Sequence, residues 1–129
     1  MTEYLIAFND EWVPDLTEEE GREKLEAVRA LRAEMTAAGV LIYTNGLDDA
    51  APVLSVDASS GMPLFTDGPF VESKEHLGGF AVVDVADEEA ARLWAGTIAV
   101  ACGWPQEVRR FRVPGNVRRH LDGPVTAQP

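Results

Sequence analysis

Most residues able to do chemistry lie in one stretch, Asp67-Gly68-Pro69-Phe70-Val71-Glu72-Ser73-Lys74-Glu75-His76-Leu77-Gly78-Gly79-Phe80. Asp67 is the acid of greatest interest. In a desolvated loop a carboxyl pKa rises, and the group can then accept or deliver a proton. An aspartate ahead of Gly-Pro can also bond nearby backbone N–H groups and shape a turn. His76 is the histidine of this stretch. Oriented by Asp67 it would act as a base; unpaired, it is a solvated loop side chain. Asp67 and His76 are therefore the candidate catalytic pair. Phe70, Lys74 and Arg109 are the candidate ligand-binding residues, Phe70 as a cleft wall and the two cations for an anionic group. Each has a structural alternative: core packing for Phe70, an ion pair with Glu72 for Lys74, and one with Glu107 for Arg109. Gly78-Gly79 suits a close backbone approach or a strand bulge.

Other chemistries find less support. His76 and His120 are far apart, Cys102 is the one cysteine, and no metal-ligand spacing occurs, so neither a metal nor a cofactor is expected. Haem would need an axial ligand, for which His76 is the candidate. Cys102 ends an apolar helical pattern beside Trp104 with no adjacent base, and is expected to be an inert buried thiol. The net charge of −11 disfavours nucleic acid and anionic membrane as partners. The acids crowd into residues 1–106. The end of the chain is net basic, with Arg109, Arg110, Arg112, Arg118 and Arg119, suited to pairing with the acidic body, with a second subunit or with a small anion. A lone cysteine suits a reducing compartment. The first residues lack the basic start and apolar stretch of a signal peptide, and no apolar run approaches ~20 residues. The expectation is a cytoplasmic protein.

The elements that must position these residues follow from periodicity. At 129 residues the chain has the size of one domain, read here as residues 1–113 followed by a tail, 114–129, that lacks periodicity. Tyr4–Phe8 is a strand with Tyr4, Ile6 and Phe8 on one face. Thr17 and Glu20 form a capping box for a helix reaching Ala38, with Leu25, Val28, Leu31 or Arg32, Met35 and Ala38 as its apolar stripe. Gly39 stops it. Strands are expected at 40–44, 53–56, 62–66, 80–85 and 106–113. The pair 53–56 and 62–66 forms a hairpin around Ala58-Ser59-Ser60-Gly61. Asp87 caps a second helix with Ala90, Leu93, Trp94, Thr97, Ile98 and Ala101 as its stripe, ended by Gly103. The order gives an α+β fold, a ferredoxin-like βαββαβ unit with an extra hairpin. Two helices cover one sheet face. Leu5, Ala7, Ala81, Val83 and Val85 are expected to make the other face apolar, and a second copy packed sheet to sheet would bury it.

The stretch 67–80 resembles the DGPF-motif signature of the YCII-related proteins: Asp-Gly-Pro-Phe, a small residue, Glu, Thr or Ser, Lys, Glu, a variable position, then Leu-Gly-Gly-Phe. Ala38-Gly39-Val40-Leu41, Gly46-Leu47 and Glu107-Val108-Arg109 resemble family positions too, so the likeness spans roughly residues 3–113. It implies a dimeric α+β barrel, that is, a homodimer. It implies no single activity: related barrels include muconolactone isomerases, antibiotic-biosynthesis monooxygenases and haem-binding proteins. Two readings follow. One is a small-molecule binding protein or enzyme with a cleft near Asp67. The other is a non-catalytic regulatory or interaction module beside an extracytoplasmic-function sigma factor, using the dimer surface and the tail. The sequence departs from the pattern at Ala81, where tyrosine is common, at Ala99, where proline often follows the helix, and at Arg110, which replaces a proline.

Overall fold

The computed structural model describes residues 1–68 and 76–113. Phe70, Lys74 and the tail 114–129 lie outside the described residues. Chain order is β1 (Thr2–Asn9), a single 3-10 turn (Asp10–Trp12), α1 (Glu18–Ala37), β2 (Leu41–Gly46), β3 (Leu54–Asp57), β4 (Leu64–Asp67), β5 (Leu77–Val85), α2 (Glu88–Cys102) and β6 (Glu107–Arg110). The main sheet is antiparallel, in the order β2-β5-β1-β6; β3 and β4 form a separate two-stranded sheet. Without that hairpin, the order of the four main strands is the ferredoxin-like one expected from the βαββαβ pattern.

Local chemistry fixes both helix starts. Thr17 accepts from the Glu20 backbone N–H at 3.1 Å, and the Glu20 carboxylate accepts from the Thr17 N–H at 2.9 Å. This reciprocal pair holds the Glu20 carboxyl below its usual range, mainly through the Thr17 N–H and then its hydroxyl. At α2, Asp87 accepts from the Ala90 N–H at 2.9 Å. α2 ends at Gly103, whose left-handed φ of 93° suits a residue without a side chain.

The core lies between the helices and one sheet face. Tyr4, Ile6, Ala81, Val83 and Val85 meet Leu31 and Met35 of α1 and Ala91 and Ala95 of α2. This corrects the expected face of β5. Ala81 pairs with Ile6 and Val83 with Tyr4, so both point to the helices. The other face carries Leu5, Ala7, Phe80 and Val82 instead. Both faces of β5 are apolar, so alternation alone could not orient it. On α2 the expected Ala90, Trp94, Ile98 and Ala101 pack against this core, but Ala91 and Ala95 are the buried residues and Leu93 is 69% exposed. Small side chains let the helix sit close to the sheet, and the larger neighbours flank that contact.

The β3–β4 hairpin turns where expected. Asp57 accepts from the Ser59 N–H and hydroxyl, both at 2.9 Å, and these bonds hold its carboxyl below the usual range. Val53, Leu54, Val56, Leu64 and Phe65 of this region are exposed, Phe65 at 71%. No helix among the described residues is long and apolar enough to cross a membrane.

Candidate functional site

Between the helix-facing side of the sheet and the two helices lies a cavity of about 330 Å³. That volume is at the small end of the ~300–1,000 Å³ usual for ligand pockets. Ile6 and Phe8 supply its β1 wall, Thr44, Asn45 and Gly46 its β2 wall, and Phe80 and Ala81 its β5 wall. Leu25, Val28, Leu31 and Met35 line it from α1, Ile98 and Cys102 from α2, and Trp104 and Gln106 from the turn that follows. Its charged lining residues are Arg29 and Arg32, both on α1.

The Trp104 wall is built by a chain of local causes. Gly103 turns the backbone out of α2, and Trp104 follows directly. Its ring meets Phe8 edge to face, with centroids 5.4 Å apart and planes at 63°. Phe8 in turn lies over Gly78 and Gly79. A Cβ added at Gly79 would fall 2.9 Å from Phe8 Cε1, and one at Gly78 would fall 2.7 Å from Phe8 Cε2. The β1–β5 register also shifts here, Phe8 facing Gly79 and Asn9 facing Leu77, so Gly78 is the additional residue of a bulge. The paired glycines thus serve both purposes expected of them, and through Phe8 they support the cavity wall.

Trp104 Nε1 is buried and has no hydrogen-bond partner among the described residues. A buried unpaired N–H costs ~1–3 kcal/mol, so the folded protein carries a donor in want of an acceptor. The neighbouring polar groups are already engaged. Thr44 donates to the Phe80 carbonyl at 2.9 Å, and the Gln106 side-chain amide donates to Cys102 Sγ at 3.3 Å. Cys102 is buried, with its Sγ also within 3.7 Å of the Trp104 carbonyl oxygen, as expected of a packed thiol.

The sequence-derived candidates occupy other places. Asp67 is the last residue of β4, exposed and paired in register with Leu54. Beside it, Gly68 has a φ of 93°, donates to the Val53 carbonyl at 2.7 Å and accepts from the Ser55 hydroxyl. His76 meets Glu11 and not Asp67 among the described residues. Its backbone N–H donates to Glu11 Oε1 at 2.8 Å, its Nδ1 lies 3.2 Å from Glu11 Oε2, and its carbonyl accepts from the Asp10 N–H at 2.8 Å. Burial raises the Glu11 carboxyl, but the His76 backbone and ring contacts outweigh it and hold it below the usual range. Arg109 lies on β6 opposite Leu5, 3.6 Å from Glu107, its structural alternative. None of Asp67, His76 and Arg109 is in the cavity lining among the described residues.

Sequence reasoning missed the site's own residues because it assigned them to packing. Leu25 and Val28 belong to the α1 stripe but are 48% and 38% exposed, lining an open cleft in place of a sealed core. The available signal was Arg29 and Arg32, one turn apart and next to that stripe.

A family model for the YCII-related domain matches residues 4–103, which spans β1 through α2 and every wall of the cavity except Trp104 and Gln106. An uncharacterized protein of Rhizobium meliloti (strain 1021) is 30% identical over 88 residues, covering 67% of this chain and 71% of that protein. The ferredoxin-like architecture and the extent of these matches agree, and the chain belongs to the YCII-related family.

Proposed function

We propose that this protein binds a small, mostly apolar molecule in the cleft between its sheet and helices. The observation that carries the reading is the 330 Å³ cavity, apolar along β1, α1 and α2, with Trp104 at its wall. An apolar occupant would cover that lining. At ~30 Å³ per water-sized volume, the space corresponds to on the order of ten non-hydrogen atoms. The described lining contains no carboxylate and no imidazole, so it supports binding more directly than acid–base chemistry. Proton transfer by Asp67 or His76 would require that they reach an occupant from the motif loop.

Thermal unfolding with a panel of small apolar compounds tests this. A ligand at one hundred times its Kd adds ~2.7 kcal/mol, about 10 °C in a domain of this size. Val28→Trp, which fills the cleft from a half-exposed helix position, should abolish the shift. Stabilisation that survives Val28→Trp would place binding elsewhere and sink the reading.

A homodimer is part of the same proposal. The helix-free sheet face presents Leu5, Val82 and the exposed Tyr43, and one face of the hairpin adds the exposed Leu54, Val56 and Phe65. A two-stranded hairpin is marginal alone in water, and an apolar sheet face needs a cover. This exposed surface is also what favours the second reading, an interaction module docking another protein. Mass measurement on Phe65→Ser and Val82→Glu separates the two: a dimer converted to monomer supports self-association, and an unaltered monomer refutes it.

A further inference from the structure

We infer that the cleft's ligand is a monocarboxylate, its carboxylate held by Arg29 and Arg32 at the mouth and its apolar body lying inward along Leu25, Val28 and Met35; this rests on the cleft-binding reading above. The chain holds 22 acidic residues against 11 lysines and arginines. Yet the charged residues lining the cavity are both arginines, and no acid lines it among the described residues. They stand three positions apart on α1, on one side of the helix, where like charges repel each other and cost a little helix stability. Glu26 stands three positions before Arg29, one turn away, whereas the residues three and four positions from Arg32 are Val28, Arg29, Met35 and Thr36, so Arg32 has no acid one turn away. Neither arginine makes an ion pair among the described residues, although Arg92, on α2, pairs with Glu88 four positions before it at 3.2 Å.

The two arginines are also placed for this task. Both are exposed, whereas Leu31 and Met35 beside them are buried, so the cleft grades from charged at the solvent side to apolar within. Guanidinium groups take carboxylates in a forked, two-bond geometry. A carboxylate between them would relieve their mutual repulsion and leave the chain's acids elsewhere undisturbed. The general negative charge of the protein acts over longer distance and is screened beyond ~8 Å at physiological salt. The local pair therefore decides what sits at the mouth.

The probes are octanoate and octan-1-ol, which share an eight-carbon body and differ in charge. Binding is followed by titration of the indole N–H resonance of Trp104, assigned with Trp104→Phe. Octanoate should bind at least ten-fold tighter than octanol to the full chain, and the advantage should shrink as salt is raised. In the Arg29→Gln/Arg32→Gln double variant the ratio of the two affinities should fall to about one; Arg29→Lys/Arg32→Lys should restore part of the advantage. Both arginines are exposed, so these variants should fold, which far-UV circular dichroism confirms. Equal affinity of the two probes in the wild type overturns the carboxylate assignment, and so does a preference that survives the double glutamine variant. In either case the cleft reading stands if Val28→Trp abolishes octanol binding. Binding of neither probe, or binding that ignores Val28→Trp, overturns both.

Discussion

Gly79→Ala tests whether the glycine pair supports the cleft through Phe8. The new methyl carbon would lie 2.9 Å from Phe8 Cε1, 3.0 Å from Phe8 Cζ and 3.1 Å from the Asn45 carbonyl oxygen. Ordinary carbon contacts are ~3.5–4.0 Å, so something must move by several tenths of an ångström. The Asn45 carbonyl is fixed in the β2–β5 ladder, where Asn45 faces Phe80 and Gly46 faces Gly79. The Phe8 ring is left to yield, and it is wedged against Trp104. Overpacking of this kind costs ~1–3 kcal/mol. Against it stands the smaller unfolded-state entropy of alanine, worth ~0.4–1 kcal/mol where the backbone tolerates a side chain; Gly79 is not among the positive-φ glycines, so that gain applies. The net is ~1–2 kcal/mol of destabilisation, a fall in Tm of about 4–8 °C. Thermal melts of Gly79→Ala, Phe8→Leu and the double variant give the coupling. With the ring gone, the added methyl group should cost at least ~1 kcal/mol less than in the wild type. A melt that Gly79→Ala leaves unchanged, or strict additivity with Phe8→Leu, would refute the link between the glycines and the cleft wall.

Met35→Ala should cost ~2–5 kcal/mol, because Met35 is 3% exposed in the core, and should also enlarge the cavity it lines; chemical denaturation measures the loss, and a cost below 1 kcal/mol would mean that the site collapses freely. The Glu20 carboxyl is held below its unfolded value of 4.5, so between the two values the unfolded chain binds more protons. The stability it contributes is complete above about pH 4.5 and is lost as pH falls through the lowered folded value. Melts of wild type and Glu20→Gln from pH 7 to pH 3 should converge at the acid end, and parallel curves would contradict the assignment. Glu11→Ala removes the acceptor of the His76 N–H; the amide of His76 should exchange with deuterium faster while those of α2 are unaffected, and equal exchange would show that Glu11 does not hold this point.

The helices were the most legible part of the chain because their ends are written in short-range chemistry. Thr17 with Glu20, Asp87 with Ala90, and glycines 39 and 103 each act within a few residues, so sequence alone contains the whole interaction. Strand existence was legible for the same reason, and the order of strands followed from the βαββαβ pattern. Facing was not. Ala81, Val83 and Val85 alternate with Phe80 and Val82, all apolar, and only pairing with Tyr4 and Ile6 determines which set meets the helices. On α2, apolar spacing put Leu93 on the inner stripe, whereas the contact with the sheet buries Ala91 and Ala95. The final strand was read too long, because Phe111 to Val113 continue the alternating apolar pattern while the ladder with β1 ends at Arg110; the Phe111 N–H still donates to the Glu3 carbonyl at 3.0 Å.

The candidate site shows a deeper limit of motif reading. The signature stretch draws the eye to Asp67 and His76 because those are the residue types that move protons. In the described structure its clearest physical contribution comes from its least reactive members. Gly78 and Gly79 admit the Phe8 ring, Phe8 holds Trp104, and Trp104 bounds a cavity whose remaining walls come from β2, α1 and α2. Asp67 closes a separate hairpin, and His76 is clasped to Glu11 at the start of β5. The motif therefore reaches the cleft by packing. That distinction has a measurable form: a motif acting by packing loses ligand affinity and stability together when Gly79 is changed. A motif acting by chemistry loses turnover when Asp67 is changed, with affinity and stability intact.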